Sequence, residues 1–331
     1  MTALSFKRKV NFHVVVKFAQ GRAFFLEFGR SGLEMNNNNY IDKQLYLGID
    51  GGGSKCRAVI YCDDEGVIAD AISGPANVLR GAEKAQQHII EATDIALAQI
   101  GLDADYKTQL IAGIGLAGLN LESCMNEMKQ WSAPFKQVFY TTDLHIACVG
   151  AHGGEDGAVM IIGTGSSALV SEQQQLIEMG GHGFPVGDAG SGAWLGFKSI
   201  ELTLKVMEGL HSATEFTQAI VSHYGVNKAI ELAQVVSRFT PTEFAKLAPL
   251  IVQHAQAGDR HALSIVEAGA EYLSQLASKL LEGRDVQLSL IGGLSPLIEK
   301  YLTADVASRL TPAQQPPEIG AVLFAKIKAS S

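Results

Sequence analysis

The sequence predicts an α/β protein built from two related halves that face a cleft. The chain of 331 residues is long enough for two domains of roughly 100–200 residues each. Short apolar runs alternate with segments of helical spacing, which is typical of α/β folds. Segments 49–54 and 161–166 also share one pattern: an apolar run, a glycine turn that ends in Gly-Ser, and a returning apolar run. This repeat, 112 residues apart, predicts the two halves.

The first half begins with an apolar run that ends at Asp50, followed by a glycine turn and a second apolar run. The turn residues at 63–66 then predict a third strand. Beyond it, apolar residues at helical spacing alternate with buried runs. The predicted strands are 44–50, 56–61, 109–117 and 137–142, and the predicted helices are 81–101, 121–131 and 144–151.

The second half repeats this opening and then becomes mainly helical. A late apolar run is closed by Gly292 and Gly293, and Pro316-Pro317 is a good start signal for a last helix. The predicted strands are 157–162, 168–170, 176–179 and 285–291, and the predicted helical regions are 193–282 and 319–327.

Residues 1–34 differ from the rest in composition. They hold six of the fourteen Phe and a net charge of +4, which leaves −12 for the other 297 residues. We hypothesise that they are an upstream extension and that Met35 is the natural start. Residues 1–44 are then expected to lie outside the fold.

Composition excludes several classes of function. The net charge of −8 argues against a non-specific nucleic-acid binder, which needs clustered positive charge. The four cysteines match no zinc pattern, so we expect reduced, buried thiols in a cytoplasmic protein. No apolar run reaches the ~18–20 residues that span a bilayer.

The two glycine turns are candidate phosphate-binding sites, because glycine lets backbone N–H groups approach oxygens closely. Two other interpretations stay open. Residues 163–168 also fit G-x-G-x-x-A, the dinucleotide fingerprint, but that motif requires a following helix, and a hairpin is predicted here. The other interpretation is that the turns bind no ligand. It explains a single glycine turn more easily than it explains a matched pair.

Three aspartates lie at the ends of predicted strands or in glycine-rich segments. Asp50 beside the first turn could hold Mg²⁺ through water. Asp143 could be a general base or the N-cap of a helix, and Asp188 could bind hydroxyl groups or be another cap. The histidines nearby, His145 and His182 among them, are expected to be structural.

Five ordered motifs resemble those of the BadF/BadG/BcrA/BcrD ATPase family, within the actin-like and hexokinase-like ATPase superfamily. They are LGIDGGGSK at 47–55, TTDLHIACVGAHGG at 141–154, IGTGSSALV at 162–170, GDAGSGAWLG at 187–196 and IGGLSP at 291–296. Over residues 45–331 the chain is similar to the N-acetylglucosamine kinases and bacterial glucosamine kinases of that family. The resemblance implies two ribonuclease-H-like (actin-like ATPase) domains, 45–152 and 153–318, with a nucleotide and sugar cleft between them. It also implies that a terminal helix within 319–331 packs on the first domain.

The resemblance also assigns roles to single residues, with ATP and Mg²⁺ as cofactors. It implies that Asp143 is the catalytic base and that Asp50 holds Mg²⁺ through water. Nucleotide or phosphate contacts are implied for Asp50, Gly51, Gly52, Gly53, Ser54, Lys55, Gly163, Thr164, Gly165, Ser166, Gly292 and Gly293. Sugar contacts are implied for Asn77, Thr164, Gly181, Asp188 and Gly192.

The activity implied is transfer of the γ-phosphoryl group of ATP to the 6-hydroxyl of an amino sugar. The sequence shows no clear extra acid near Asn77 or His182 to bind an ammonium group, so N-acetylglucosamine is favoured over glucosamine. The expected partner is this small molecule, with neither nucleic acid nor a membrane involved. The resemblance allows a homodimer.

Two other classes stay open. The family also contains ATPases that activate dehydratases through an iron–sulfur cluster, which needs suitably placed cysteines. None occurs in the glycine-rich segment 115–120 or in the Gly-Asp-Ala-Gly-Ser motif. A nucleotide-dependent filament or a sugar-sensing regulator is the non-enzymatic alternative, although the sequence shows no DNA-binding module.

Overall fold

The computed structural model describes residue 40, residues 42–173 and residues 175–331. The expectations for residues 1–34, including a natural start at Met35, lie outside the described residues. Across the described part of the chain, no helix is both long and apolar enough to cross a bilayer.

The first sheet has five strands. They are β1 (Leu45–Gly51), β2 (Cys56–Cys62), β3 (Gly66–Ser73), β4 (Ile111–Leu116) and β5 (Gln137–Thr142). Their order is β3-β2-β1-β4-β5, in which β1 to β3 are antiparallel and β4 and β5 run parallel to β1. Every residue of β4 is buried, as expected for a central parallel strand.

The second sheet repeats this arrangement with one strand fewer. Its strands are β6 (Gly157–Ile162), β7 (Ser166–Glu172), β8 (Gln175–Gly180) and β9 (Leu288–Ile291). The order is β8-β7-β6-β9, with β6 to β8 antiparallel and β9 parallel to β6. Strand β9 begins later than predicted, since the carbonyls of Arg284 and Val286 accept hydrogen bonds from the Arg309 side chain.

Helices surround the sheets and form most of residues 192–281. The bounds are α1 (Ala82–Gln99), α2 (Glu122–Gln130), α3 (Asp143–Ala151), α4 (Gly192–Met207), α5 (Glu215–Tyr224), α6 (Ala229–Val236), α7 (Pro241–Ala245), α8 (Ala248–Gln256), α9 (Arg260–Leu281), α10 (Ser295–Ile298), α11 (Ala304–Ala307) and α12 (Pro317–Ala329).

Helix α3 joins the two sheets. It follows β5 directly, and its residues Leu144 and Cys148 share a buried cluster with Val159 of β6 and Leu169 of β7. The Cys148 thiol donates to the Gly157 carbonyl, and all four cysteines are free and buried. Their predicted packing role is therefore confirmed.

The last helix, α12, packs on α3, β1 and β4. Three glycines allow this close approach, because a Cβ at Gly48, Gly113 or Gly320 would lie about 2 Å from a backbone oxygen across the contact. Helix α12 also carries Glu318, whose buried carboxylate pairs with Arg57 of β2 at 3.0 Å. The domain boundaries at 45–152 and 153–318 stay a prediction.

Candidate active site

The first glycine turn joins β1 to β2. The strands pair as far as Gly51 and Cys56, so residues 52–55 form the loop, and the Gly52 N–H donates to the Lys55 carbonyl at 2.9 Å. Ser54 and Lys55 are exposed. The loop therefore presents its backbone and two polar side chains to solvent at the end of β1.

The second glycine turn joins β6 to β7 and is one residue shorter, since Ile162 pairs with Ser166. The Gly163 N–H donates to the Gly165 carbonyl at 2.9 Å. A strand follows this turn, so the hairpin prediction is confirmed and the dinucleotide interpretation of 163–168 is wrong. The Ser166 hydroxyl donates to the Ala189 carbonyl, which ties the turn to the segment before α4.

A third turn follows β9 and lies against the second. Because Ile161 pairs with Ile291, the ends of β6 and β9 are adjacent, and the Leu294 N–H donates to the Ile162 carbonyl at 3.1 Å. Gly292 must be glycine here, since its φ is +110° and a Cβ would lie 2.4 Å from that same carbonyl.

Four glycines in these turns have no steric reason in the fold to be glycine. A Cβ at Gly53, Gly163 or Gly293 would meet no atom within 4 Å, and at Gly52 only one at 3.8 Å. None of the four has a positive φ. Every other glycine in the described ranges has either a positive φ or an atom within 3.1 Å of a Cβ built on it. A ligand that approaches the backbone would explain these four.

A cavity of about 240 Å³ is lined by both halves of the chain. Three residues assigned from the sequence line it together, namely Asn77, Asp143 and Gly181. The polar lining residues that the sequence reasoning missed are Asn120, Thr142, Ser167 and Glu178.

Asp143 is the first residue of α3, and the interpretation of Asp143 as the N-cap is wrong. Thr142 is the cap, and its hydroxyl accepts from the His145 N–H. The Asp143 carboxylate accepts only from the neighbouring Leu144 N–H at 3.0 Å among its described contacts, and it lines the cavity. The β5–α3 junction therefore holds a carboxylate at the cavity wall without using it to cap the helix.

Burial raises the pKa of Asp143 from 3.8 to about 6, the charge of Glu178 adds to the rise, and the Leu144 N–H opposes it. Burial likewise raises the pKa of Asp50 to about 6, with further contributions from the charges of Asp143 and Glu318. The two aspartates are thus near enough to repel each other. A carboxylate with a pKa near 6 is suited to accept a proton near neutral pH.

Asn77 lies in the loop after β3. Its side-chain oxygen accepts from the Leu79 N–H at 2.9 Å and caps a short 3₁₀ turn. The same loop is tied to the first glycine turn, because the Ala76 N–H donates to the Gly52 carbonyl at 3.0 Å. Asn77 is therefore fixed between that turn and the cavity.

Asp188, Thr164 and Gly192 lie at the second glycine turn and do not line the cavity. The cap of α4 is Ser191, so the cap interpretation of Asp188 is also wrong. Asp188 instead accepts from the Gly183 N–H at 3.1 Å, in a strained conformation with φ of +61°. Gly192 donates its N–H to the Gly163 carbonyl at 2.8 Å, which docks the start of α4 on the turn.

Two of the histidines have structural partners. The His145 ring bonds the Thr141 hydroxyl at 2.7 Å and packs against Phe324 of α12, and burial lowers its pKa to about 4. His152 is buried and bonds the Ala158 carbonyl at 2.9 Å. Both observations favour the predicted structural role.

Known proteins resemble this chain along most of its length. The model of the BadF/BadG/BcrA/BcrD ATPase family matches residues 47–325. Glucosamine kinase GspK from Vibrio cholerae serotype O1 is 31% identical over 281 residues, which are 85% of this chain and 95% of that protein. N-acetyl-D-glucosamine kinase from Dictyostelium discoideum is 25% identical, over 73% of this chain and 81% of that protein.

A solved structure shows the same fold. It is a candidate N-acetylglucosamine kinase from Chromobacterium violaceum, which superposes with a TM-score of 0.79 at 29% identity. The match covers 86% of this chain and 99% of that one. The predicted fold class is therefore confirmed.

Proposed function

Because the chain belongs to the BadF/BadG/BcrA/BcrD ATPase family, we propose that it is a kinase that transfers the γ-phosphoryl group of ATP to the 6-hydroxyl of an amino sugar. The relatives named as glucosamine kinase and N-acetyl-D-glucosamine kinase support an amino sugar as acceptor. The observation that carries the proposal is the position of Asp143, which lines a cavity of about 240 Å³ together with Asn77 and lies close enough to Asp50 to raise the pKa of Asp50.

The three glycine turns bind the nucleotide in this proposal. The absence of side chains at Gly52 and Gly53 of the first turn and at Gly163 of the second leaves room for phosphate oxygens beside the backbone, and Gly293 leaves room for the nucleoside. The residues assigned to this role from the sequence extend from Asp50 to Lys55 and from Gly163 to Ser166, and they include Gly292 and Gly293.

In this proposal Asp50 holds Mg²⁺ through water. The described residues contain no group of three or more His, Cys, Asp or Glu able to hold a metal. A single carboxylate fits Mg²⁺ nonetheless, because this ion keeps several waters and binds largely through substrate phosphates. When bound, Mg²⁺ neutralises charge on the phosphates.

Asp143 orients the sugar and accepts the proton of its 6-hydroxyl as that oxygen attacks the γ-phosphorus in line. Asn77 and Gly181 line the same cavity and bind other hydroxyl groups of the sugar. The sugar contacts expected for Thr164, Asp188 and Gly192 stay a prediction, since these residues do not line the cavity. Because both halves line the cavity, closure of the two domains, 45–152 and 153–318, excludes water and limits ATP hydrolysis.

The two candidate sugars differ at carbon 2. The sequence favours N-acetylglucosamine because it shows no extra acidic residue near Asn77. In the structure an acidic residue does lie there, since Glu178 lines the same cavity as Asn77. A carboxylate in this position favours glucosamine, whose amine is a cation at neutral pH. Glucosamine is therefore a second candidate acceptor beside N-acetylglucosamine.

The dehydratase-activator alternative has less support. Its iron–sulfur cluster would need thiols at a surface where two chains meet. Here every cysteine thiol is buried, and burial raises the pKa of the Cys56 and Cys148 thiols to about 12, away from the thiolate that binds metals.

ADP release with Mg-ATP tests the proposal, using N-acetylglucosamine, glucosamine, glucose, N-acetylmannosamine or no sugar. The product is identified by mass and by its phosphorus NMR signal. We expect turnover with an amino sugar, a 6-phosphate product, and little ADP without sugar. ADP release that ignores every sugar would contradict the kinase and favour an ATPase that acts on a protein partner.

A further inference from the structure

The cavity that contains Asp143 is acidic on both sides. Asp143 comes from α3 and Glu178 from β8, and no Lys, Arg or His is among the residues that line it. The two carboxylates are close enough for Glu178 to raise the pKa of Asp143. A cation bound to Glu178 compensates the charge that causes this repulsion, whereas a neutral ligand does not.

Glu178 is held in place by the other half of the chain. The Thr142 hydroxyl donates to one oxygen of its carboxylate at 3.1 Å. Thr142 is itself fixed, because its hydroxyl also accepts from the His145 N–H at the start of α3. This bond uses one carboxylate oxygen of Glu178 and leaves the second oxygen for a ligand in the cavity.

An amino sugar offers one of two groups at carbon 2. Glucosamine carries an ammonium group, which donates charge-assisted hydrogen bonds to a carboxylate, and these are about twice as strong as neutral ones. The acetamide of N-acetylglucosamine offers one neutral N–H and needs more room. Glucose offers a hydroxyl of similar size without charge.

We infer that Glu178 binds the 2-ammonium group of the substrate and makes glucosamine a better acceptor than N-acetylglucosamine or glucose. This inference rests on the proposed sugar-kinase function. Glu178 is a specificity-determining residue here, and Asp143 remains the base for every sugar.

The experiment compares kcat/KM for glucosamine, N-acetylglucosamine and glucose in the full-length protein and in Glu178→Gln. The Gln side chain keeps the shape and an oxygen to accept from Thr142 but removes the charge. The control is Glu155→Gln, since Glu155 is exposed and its side chain does not line the cavity. This variant changes the net charge equally.

Wild type is expected to use glucosamine with a kcat/KM roughly tenfold or more above glucose and N-acetylglucosamine, the factor that one charge-assisted hydrogen bond supplies. Glu178→Gln should lose about that factor with glucosamine, mainly in KM, and stay within roughly threefold with the other two sugars. Glu155→Gln should match wild type with all three.

Two results would overturn the inference while leaving the kinase intact. One is a wild-type preference for N-acetylglucosamine or glucose. The other is an equal loss with all three sugars in Glu178→Gln, which would place Glu178 in the chemistry or in the shape of the cavity. Absence of any phosphorylated sugar would instead refute the proposed function, and the inference with it.

Discussion

Replacing Asp143 by Asn is expected to remove most catalysis while making the ligand-free protein more stable at neutral pH. The two effects have one cause. The carboxylate is held in a partly buried, negatively charged place, where it is a better base but destabilises the fold when charged. Asn has an oxygen that can accept from the Leu144 N–H, so that the bond seen with Asp143 can persist.

The size of both effects follows from the pKa of Asp143, which rises from 3.8 to about 6. Loss of a general base lowers kcat by roughly 10²–10⁴-fold. For stability, the folded protein binds the proton more tightly than the unfolded chain does, so the destabilisation is absent below pH 3.8 and complete above pH 6. A shift of this size corresponds to at most about 3 kcal/mol in the free energy of unfolding.

The assay is a pair of measurements on wild type and Asp143→Asn. Initial rates at saturating sugar give kcat, and the KM for ATP should change little. Thermal unfolding without ligands at pH 8 should show a higher midpoint for Asp143→Asn. At pH 4.5 most of that gain should disappear, because folded wild-type protein is then largely protonated at this site.

The matched control is Asp305→Asn. Asp305 also lies in the first turn of a short helix, α11, but it is exposed. The negative charge of Asp305 interacts favourably with the dipole at the start of the helix, so the thermal midpoint of Asp305→Asn at pH 8 should equal that of wild type or be slightly lower. An ordinary kcat in Asp143→Asn would show that Asp143 is not the base, and an unchanged or lower midpoint at pH 8 would refute the electrostatic reasoning.

Three further predictions follow from the same geometry. The kcat/KM for the sugar should fall below about pH 6, the pKa of both Asp143 and Asp50, and a flat profile from pH 5 to 8 would contradict a carboxylate base. Gly163→Ala should raise the KM for ATP roughly tenfold without changing the thermal midpoint, because only a ligand approaches its empty Cβ position. Gly320→Ala should instead lower the free energy of unfolding by about 1–3 kcal/mol or more, because the new Cβ would lie 1.9 Å from the Ile146 carbonyl oxygen. The protein that does fold should keep the wild-type KM for ATP.

Much of the fold could be predicted because the strands carry local signals. Strand β1 is an apolar run bounded by a glycine turn, and the observed strand Leu45–Gly51 differs from the predicted one by a single residue at each end. The repeat of the hairpin also indicated correctly that the second sheet opens like the first. These features depend on residues that are near one another in the chain.

The helix caps show where local reasoning is insufficient. Both Asp143 and Asp188 are good capping residues by type, yet Thr142 and Ser191 are the caps. Each true cap is also a good capping residue, and the sequence gives two candidates within a few positions. Only the backbone conformation decides between them, and in both places it leaves the aspartate free for another role.

Glycines illustrate the limit more sharply, because three physical reasons for a glycine look the same in a sequence. Gly292 needs a positive φ, Gly320 lets α12 approach α3, and Gly163 has neither requirement in the fold. The structure separates these reasons, and among the described residues the glycines left without a structural role fall only in the turns at the ends of β1, β6 and β9. A ligand that approaches the backbone would explain these glycines, and this supports the proposed nucleotide site at the three turns.

Glu178 could not be identified from the sequence for a different reason. It lies on β8, and its bonding partner Thr142 lies in the other half of the chain, 36 residues away. The strand was predicted, but no local pattern says which of its side chains reaches across to α3. Specificity at carbon 2 therefore depends on the contact between the halves, so a change that alters how the domains close should alter the preference among sugars even when every residue of the cavity is kept.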